Sequence, residues 1–146
     1  MGEIHVKDSI IIERKAVDIY RFWRHLENLP LFINHLDSVE DTGGGHSRWT
    51  IKTPMGLIKW NSEIVEDKPG EKICWRSTTD SKLENRGALV LKDKGDGLTQ
   101  ATIELFYKPP GKYDSFLEDH MLEIITDEQM KEDLRNLKHA MEAAAS

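Results

Sequence analysis

The chain has 146 residues, 38% hydrophobic and 32% charged, the size and balance of one globular domain spanning 1–146. These proportions exclude a disordered chain, a collagen-like repeat and a coiled coil, and the apolar runs fall far short of the ~20 residues a membrane-spanning helix needs. The net charge of −6 comes entirely from residues 114–146, with 3 basic against 9 acidic side chains, which argues against nucleic acid or anionic membrane as partners.

The start of the chain has no basic stretch followed by an apolar core, and Val6 stands where a myristoylation signal wants Ser or Thr. The single cysteine, Cys74, can form no internal disulfide. Both features lead us to expect a cytoplasmic protein.

In chain order, the first signal is alternation. Ile4, Val6, Ile10 and Ile12 share one face and His5, Lys7, Ser9 and Glu13 the other, which predicts a half-buried strand. Residues 16–24 then place Val17, Tyr20 and Trp23 at helical spacing, with Ile19 and Phe22 beside them, so a short helix is expected to end near Pro30. A second short helix is expected over Leu31-Phe32-Ile33, since proline suits a first helical turn.

From Leu36 to Tyr107 the period becomes two, broken by turn residues at Gly43-Gly44-Gly45, Pro54-Met55-Gly56, Lys68-Pro69-Gly70, Asp80-Ser81 and Lys94-Gly95-Asp96-Gly97. This pattern predicts six strands in an antiparallel meander. Trp49 and Ile51, Trp60, Ser62 and Ile64, and Ile73, Trp75 and Ser77 fall on the inward face, followed by Gly87, Leu89 and Leu91, then Ile103, Leu105 and Tyr107. Arg48, Lys52, Lys59, Glu63, Arg76, Arg86, Lys92, Gln100 and Glu104 fall on the outer, solvated face.

The two prolines of Lys108-Pro109-Pro110-Gly111 end the last strand. Leu117, Met121, Ile125, Met130, Leu134, Leu137 and Met141 then recur at helical intervals, so a long amphipathic helix is expected to cover the sheet. Thr126 followed by Gln129 resembles a capping box and predicts a break there.

This order of elements, with Val17-Asp18-Ile19-Tyr20-Arg21-Phe22-Trp23, Leu29-Pro30-Leu31-Phe32, Trp60-Asn61-Ser62-Glu63-Ile64, Ile73-Cys74-Trp75-Arg76-Ser77, Tyr107-Lys108-Pro109-Pro110-Gly111 and Asp133-Leu134, resembles the START-like superfamily. That group comprises polyketide cyclase/dehydrase, lipid-transport and coenzyme Q-binding proteins. The resemblance covers nearly the whole chain. It implies an α+β helix-grip fold, in which a curved antiparallel seven-stranded sheet, with two short helices after its first strand, wraps around a long C-terminal helix. It also implies a cavity for a small hydrophobic molecule between sheet and helix, such as a lipid, quinone or polyketide.

The residues expected around that cavity are Asp8, Trp49, Trp60, Ser62, Ile64, Trp75, Ser77, Leu89, Leu91, Ile103, Leu105, Tyr107, Met121, Met130 and Leu134. Asp8 stands out because it occupies an inward position between Val6 and Ile10, where a carboxylate is costly to bury. Ser62 and Ser77 have no G-x-S-x-G elbow around them, so nucleophilic catalysis has little support. His5, His25, His35, His46, His120 and His139 show no metal-ligand spacing, and neither metal nor cofactor is expected. The glycine clusters read as hairpin turns rather than phosphate loops, because no Lys-Ser/Thr follows them.

The expected function is a carrier or sensor of a hydrophobic molecule, with no nucleic acid partner, no membrane span and an open oligomeric state. The alternatives are a cyclase/dehydratase, with Asp8, Ser62 and Tyr107 as conceivable polar groups, or a domain that binds a macromolecular partner. Related aromatase/cyclases carry an arginine two residues after the serine that matches Ser62; here that position is Ile64, which removes the cation expected to polarise a carbonyl.

Overall fold

The computed structural model describes residues 4–53, 56–79, 84–108 and 126–143. Seven strands form one sheet: β1 (Ile4–Ile12), β2 (Leu36–Gly43), β3 (His46–Thr53), β4 (Gly56–Lys68), β5 (Lys72–Ser77), β6 (Glu84–Gly95) and β7 (Leu98–Lys108). Their order is β1-β7-β6-β5-β4-β3-β2, every neighbour antiparallel. The meander from β2 to β7 follows chain order. The first strand joins the last, with Ile4 opposite Tyr107 and Ile12 opposite Thr99.

Alternation has the expected phase. Trp49, Ile51, Trp60, Ile73, Trp75, Leu89, Ile103 and Tyr107 are buried on the inner face, while Arg48, Lys52, Lys59, Arg76, Arg86 and Lys92 are exposed on the outer. Glu63, Gln100 and Glu104 are half-buried there, because each meets a cross-strand partner: Arg76 at 2.8 Å, Ser9 at 3.3 Å and His5 at 2.7 Å. In β4 the register slips between Ile64 and Glu66, leaving Val65 as an extra, half-exposed residue. Such a bulge bends the strand and increases its local twist.

Between β1 and β2 lie α1 (Ala16–Arg24) and a 3-10 helix (Leu26–Leu31). The buried stripe of α1 is Ile19 and Trp23, four residues apart, continued by Leu26 and Leu29. Two expectations are corrected here. Val17 is exposed and Tyr20 donates a hydrogen bond to Asp67 at the end of β4, so the inward face is rotated from the expected one. The second helix also begins before Pro30 and includes it near its end, leaving Leu31 exposed while Phe32 packs on Trp23 at 5.3 Å between ring centroids. Proline has no N–H to donate, so the helix forgoes one backbone hydrogen bond at Pro30, a small loss in so short an element.

The C-terminal helix, α2 (Asp127–Ala143), starts where the capping residue predicts, with the Thr126 hydroxyl accepting from the Gln129 N–H at 3.0 Å. Met130, Leu134, Leu137 and Met141 are buried on its inner stripe against the sheet. Leu117, Met121 and Ile125 lie outside the described residues. Polar ties hold α2 at both sides: Lys138 Nζ donates to the Ile11 carbonyl at 2.9 Å, Arg14 to the Met141 carbonyl at 2.6 Å, and Asn136 Nδ2 to the Phe32 carbonyl at 3.0 Å. The sheet therefore grips α2 from β1 on one side and from the segment leading into β2 on the other.

Candidate functional site

The inner face of the sheet and the start of α2 border a partly open cavity of about 120 Å³. Its walls are built from Trp23 of α1, Trp49 and Ile51 of β3, Trp60 of β4, Trp75 of β5, Ile103, Leu105 and Tyr107 of β7, and Met130 of α2, with Ile33 and Leu36 before and in β2. The tryptophans form a series: Trp23 lies tilted against Trp75 at 5.9 Å, Trp75 stacks on Trp49 at 6.1 Å, and Trp49 stacks on Trp60 at 5.9 Å between centroids. Aromatic pairs at these separations attract one another beyond the apolar area they bury.

Gly87 sets the position of Trp75. A Cβ at residue 87 would lie 2.6 Å from Trp75 Cζ2 and 2.7 Å from Leu105 Cδ2, so only a hydrogen at that site lets the indole lie across β6.

At one end of the cavity His35, Thr126, Gln129 and Asp133 are joined by hydrogen bonds, and Asn85 also lines the wall. His35 is placed by its backbone carbonyl, which accepts from Lys52 of β3 at 3.0 Å. Gln129 bridges the group. Its Nε2 donates to Asp133 Oδ1 at 2.9 Å and its Oε1 lies 3.0 Å from His35 Nε2. The Asn34 N–H donates to the same carboxylate oxygen at 3.4 Å. Burial pushes Asp133 up from 3.8 to about 6, against the opposing pull of the hydrogen bonds from Gln129 and Asn34 and of the nearby His35. A carboxyl group that changes charge near pH 6 inside an apolar cavity is the one chemically distinctive group of the site.

Trp49 donates its indole N–H to Ser47 Oγ at 2.9 Å, whereas the buried Trp60 Nε1 has no partner among the described residues. An unsatisfied buried indole donor costs about 1–3 kcal/mol, a penalty that favours an occupant able to accept from it.

Of the residues expected around the cavity, Trp49, Trp60, Trp75, Ile103, Leu105, Tyr107 and Met130 line it. The others are placed elsewhere. Asp8 sits half-buried on the edge strand β1, where its carboxylate accepts from the Ser9 N–H at 2.8 Å, so the edge, not the cavity, solvates it. Ser62 donates to the Arg76 carbonyl at 2.9 Å, and Ser77 accepts from the Asn85 N–H at 2.9 Å, both spent on strand pairing. Ile64 is half-buried beside the β4 bulge, and Leu89 and Leu134 are wholly buried in the core away from the cavity wall. Leu91 lies beyond the cavity, in a surface recess between the start of α1 and the β6–β7 turn. Met121 is outside the described residues.

Sequence reasoning missed the polar end. Its signal was present: Asp133 stands three residues after Met130 and four before Leu137, a carboxylate on the apolar stripe of a helix, with Gln129 one turn earlier. Among the described residues no group of three or more His, Cys, Asp or Glu gathers as a metal site, and no helix is long and apolar enough to cross a membrane.

Comparison with known proteins accords with this geometry. A search among curated proteins gave no match. A crystal structure of a Deinococcus radiodurans protein is 30% identical, covering 97% of this chain and 99% of that one with a TM-score of 0.79. A Thermus thermophilus protein is 20% identical over 98% of this chain and 100% of its own, with a TM-score of 0.78. An aromatase/cyclase from a Streptomyces species shares the fold with a TM-score of 0.80 at 14% identity, covering 99% of this chain and 97% of that one. The family model described as polyketide cyclase / dehydrase and lipid transport matches residues 12–142, and the chain belongs to that family.

Proposed function

We propose that the protein holds one small, largely apolar molecule in the cavity between sheet and α2 and acts as its carrier or sensor, without covalent chemistry. The observation that carries this reading is the cavity itself: an aromatic and aliphatic wall, closed at one end by a few polar groups. That division is what a binding site for a hydrophobic molecule requires, apolar burial for affinity and a small polar set for orientation. Among the described residues of the cavity wall none is an activated nucleophile, and Ile64, at the position where related cyclases carry arginine, does not line it.

A cyclase or dehydratase is the second reading, and Asp133 favours it. A carboxyl near pH 6 beside a bound chain is suited to exchange a proton with it, a contribution of ~100-fold or more where geometry allows. Native mass spectrometry of freshly purified protein, followed by organic extraction, separates the two. A co-purified apolar molecule recovered unchanged is the expected result. Turnover of a candidate polyketide that is lost in Asp133→Asn would overturn the carrier reading in favour of the enzyme.

A further inference from the structure

The polar end of the cavity is unequal in its hydrogen-bonding capacity. Asp133 Oδ1 accepts two hydrogen bonds, from Gln129 Nε2 and the Asn34 N–H, while Oδ2 has no partner among the described residues. Two of its neighbours are already engaged. Gln129 is committed, since a carboxylate accepts only and therefore holds the amide nitrogen on its side; the amide oxygen then faces His35 Nε2, which must carry the proton. Asn34 Nδ2 is engaged with Glu132 at 3.2 Å. Asp133 is 9% exposed, on a wall it shares with Trp49, Trp60 and Met130. An acceptor left open in such surroundings is worth more to a matching donor than it would be in water.

Size narrows the occupant further. An apolar hole of ~150 Å³ takes up benzene, so the space of about 120 Å³ bounded by the described residues accommodates a single ring or a short branched chain. We infer that the cavity selects a ring-sized apolar molecule, or the ring end of a larger one, that bears a neutral hydroxyl, that Asp133 Oδ2 is the acceptor that reads this hydroxyl, and that the same oxygen turns carboxylates away. The rejection follows from chemistry: an ionised acid brings only acceptors and a like charge to an oxygen that can only accept. This selectivity rests on the carrier reading above.

Three probes of one shape test it by isothermal calorimetry on the full chain at pH 8: 4-ethylphenol, 4-ethylanisole and 4-ethylbenzoate. The phenol should bind at least about tenfold tighter than the anisole, as a hydrogen bond to a charged acceptor warrants, and the benzoate weakest of all. Asp133→Asn keeps an oxygen for Gln129 and Asn34 but puts an N–H₂ donor where Oδ2 stands, so it should erase the preference for the phenol and raise benzoate affinity about tenfold. Circular dichroism of that variant confirms that it is folded. Equal binding of phenol and anisole by the wild type would overturn the hydroxyl selectivity and leave the cavity as a binding site. An unchanged order in Asp133→Asn would overturn the role of Asp133. Failure of all three probes to bind would overturn this inference and the carrier reading together.

Discussion

Replacing Asp133 by Asn tests the physics of the site without any ligand. Burial raises the folded-state pKa of Asp133 from 3.8 to about 6, so the folded protein holds this proton more tightly than the unfolded chain does. Between those two values the folded state binds more protons, and stability therefore falls as pH rises through the window. About two units at 1.36 kcal/mol each set an upper bound of about 3 kcal/mol, and water reaching the carboxylate through the cavity lowers this to about 2 kcal/mol. The contribution is fully present below pH 3.8 and lost above about pH 6. Asparagine mimics the protonated group and has no such loss. Urea denaturation of both proteins from pH 3.5 to 7.5 should show nearly equal stability at the acid end and a variant more stable by about 2 kcal/mol at the neutral end, a rise in melting temperature of about 5 °C. Other carboxylates cancel in the difference. Glu142, for example, is held below its usual value by its hydrogen bond from Lys138 in both proteins. A difference that is flat across this range, or a variant less stable at pH 7.5, would refute the account of a carboxylate stranded in an apolar wall.

Two further substitutions probe the frame that positions the site. Gly87→Ala brings a methyl group into Trp75 and Leu105 at distances no real Cβ tolerates, so chemical denaturation should show a loss of about 1–3 kcal/mol, and a crystal structure should show the Trp75 indole displaced. Leu134→Ala empties a fully buried position between α2 and the sheet and should cost about 2–5 kcal/mol; a loss below about 1 kcal/mol would mean that the helix is not held as described.

The sheet was legible in the sequence because period-two alternation is a local property: once Trp49, Trp60 and Trp75 share a parity with Ile51, Ile73 and Ile103, the buried face follows. The partner of its first strand was not local. Ile4 opposite Tyr107 joins residues far apart in the chain, and no residue pattern names that pairing; the resemblance implied only that the first strand belongs to the seven-stranded sheet. Short helices were harder. Val17, Tyr20 and Trp23 match a helical stripe as well as Ile19 and Trp23 do, and only the position of Asp67, which engages Tyr20 and Arg24, decides between them. The site was half legible for a related reason. Aromatic residues announce an inner face by parity, but a polar group announces nothing about its solvation: Asp8 looked buried and is solvated at a sheet edge, while Asp133 looked like one more charge on an acidic helix and is enclosed.

The chain contains four tryptophans, and all four stand in the cavity wall as one continuous series, Trp23 to Trp75 to Trp49 to Trp60, each within about 6 Å of the next. The near-ultraviolet light that this protein emits therefore originates almost wholly from the lining of the cavity. At such separations excitation passes between indoles faster than it is emitted, so a quenching molecule that touches any one ring darkens the whole series. Occupancy can be followed optically, without a label, from a signal in which no distant tryptophan contributes a background.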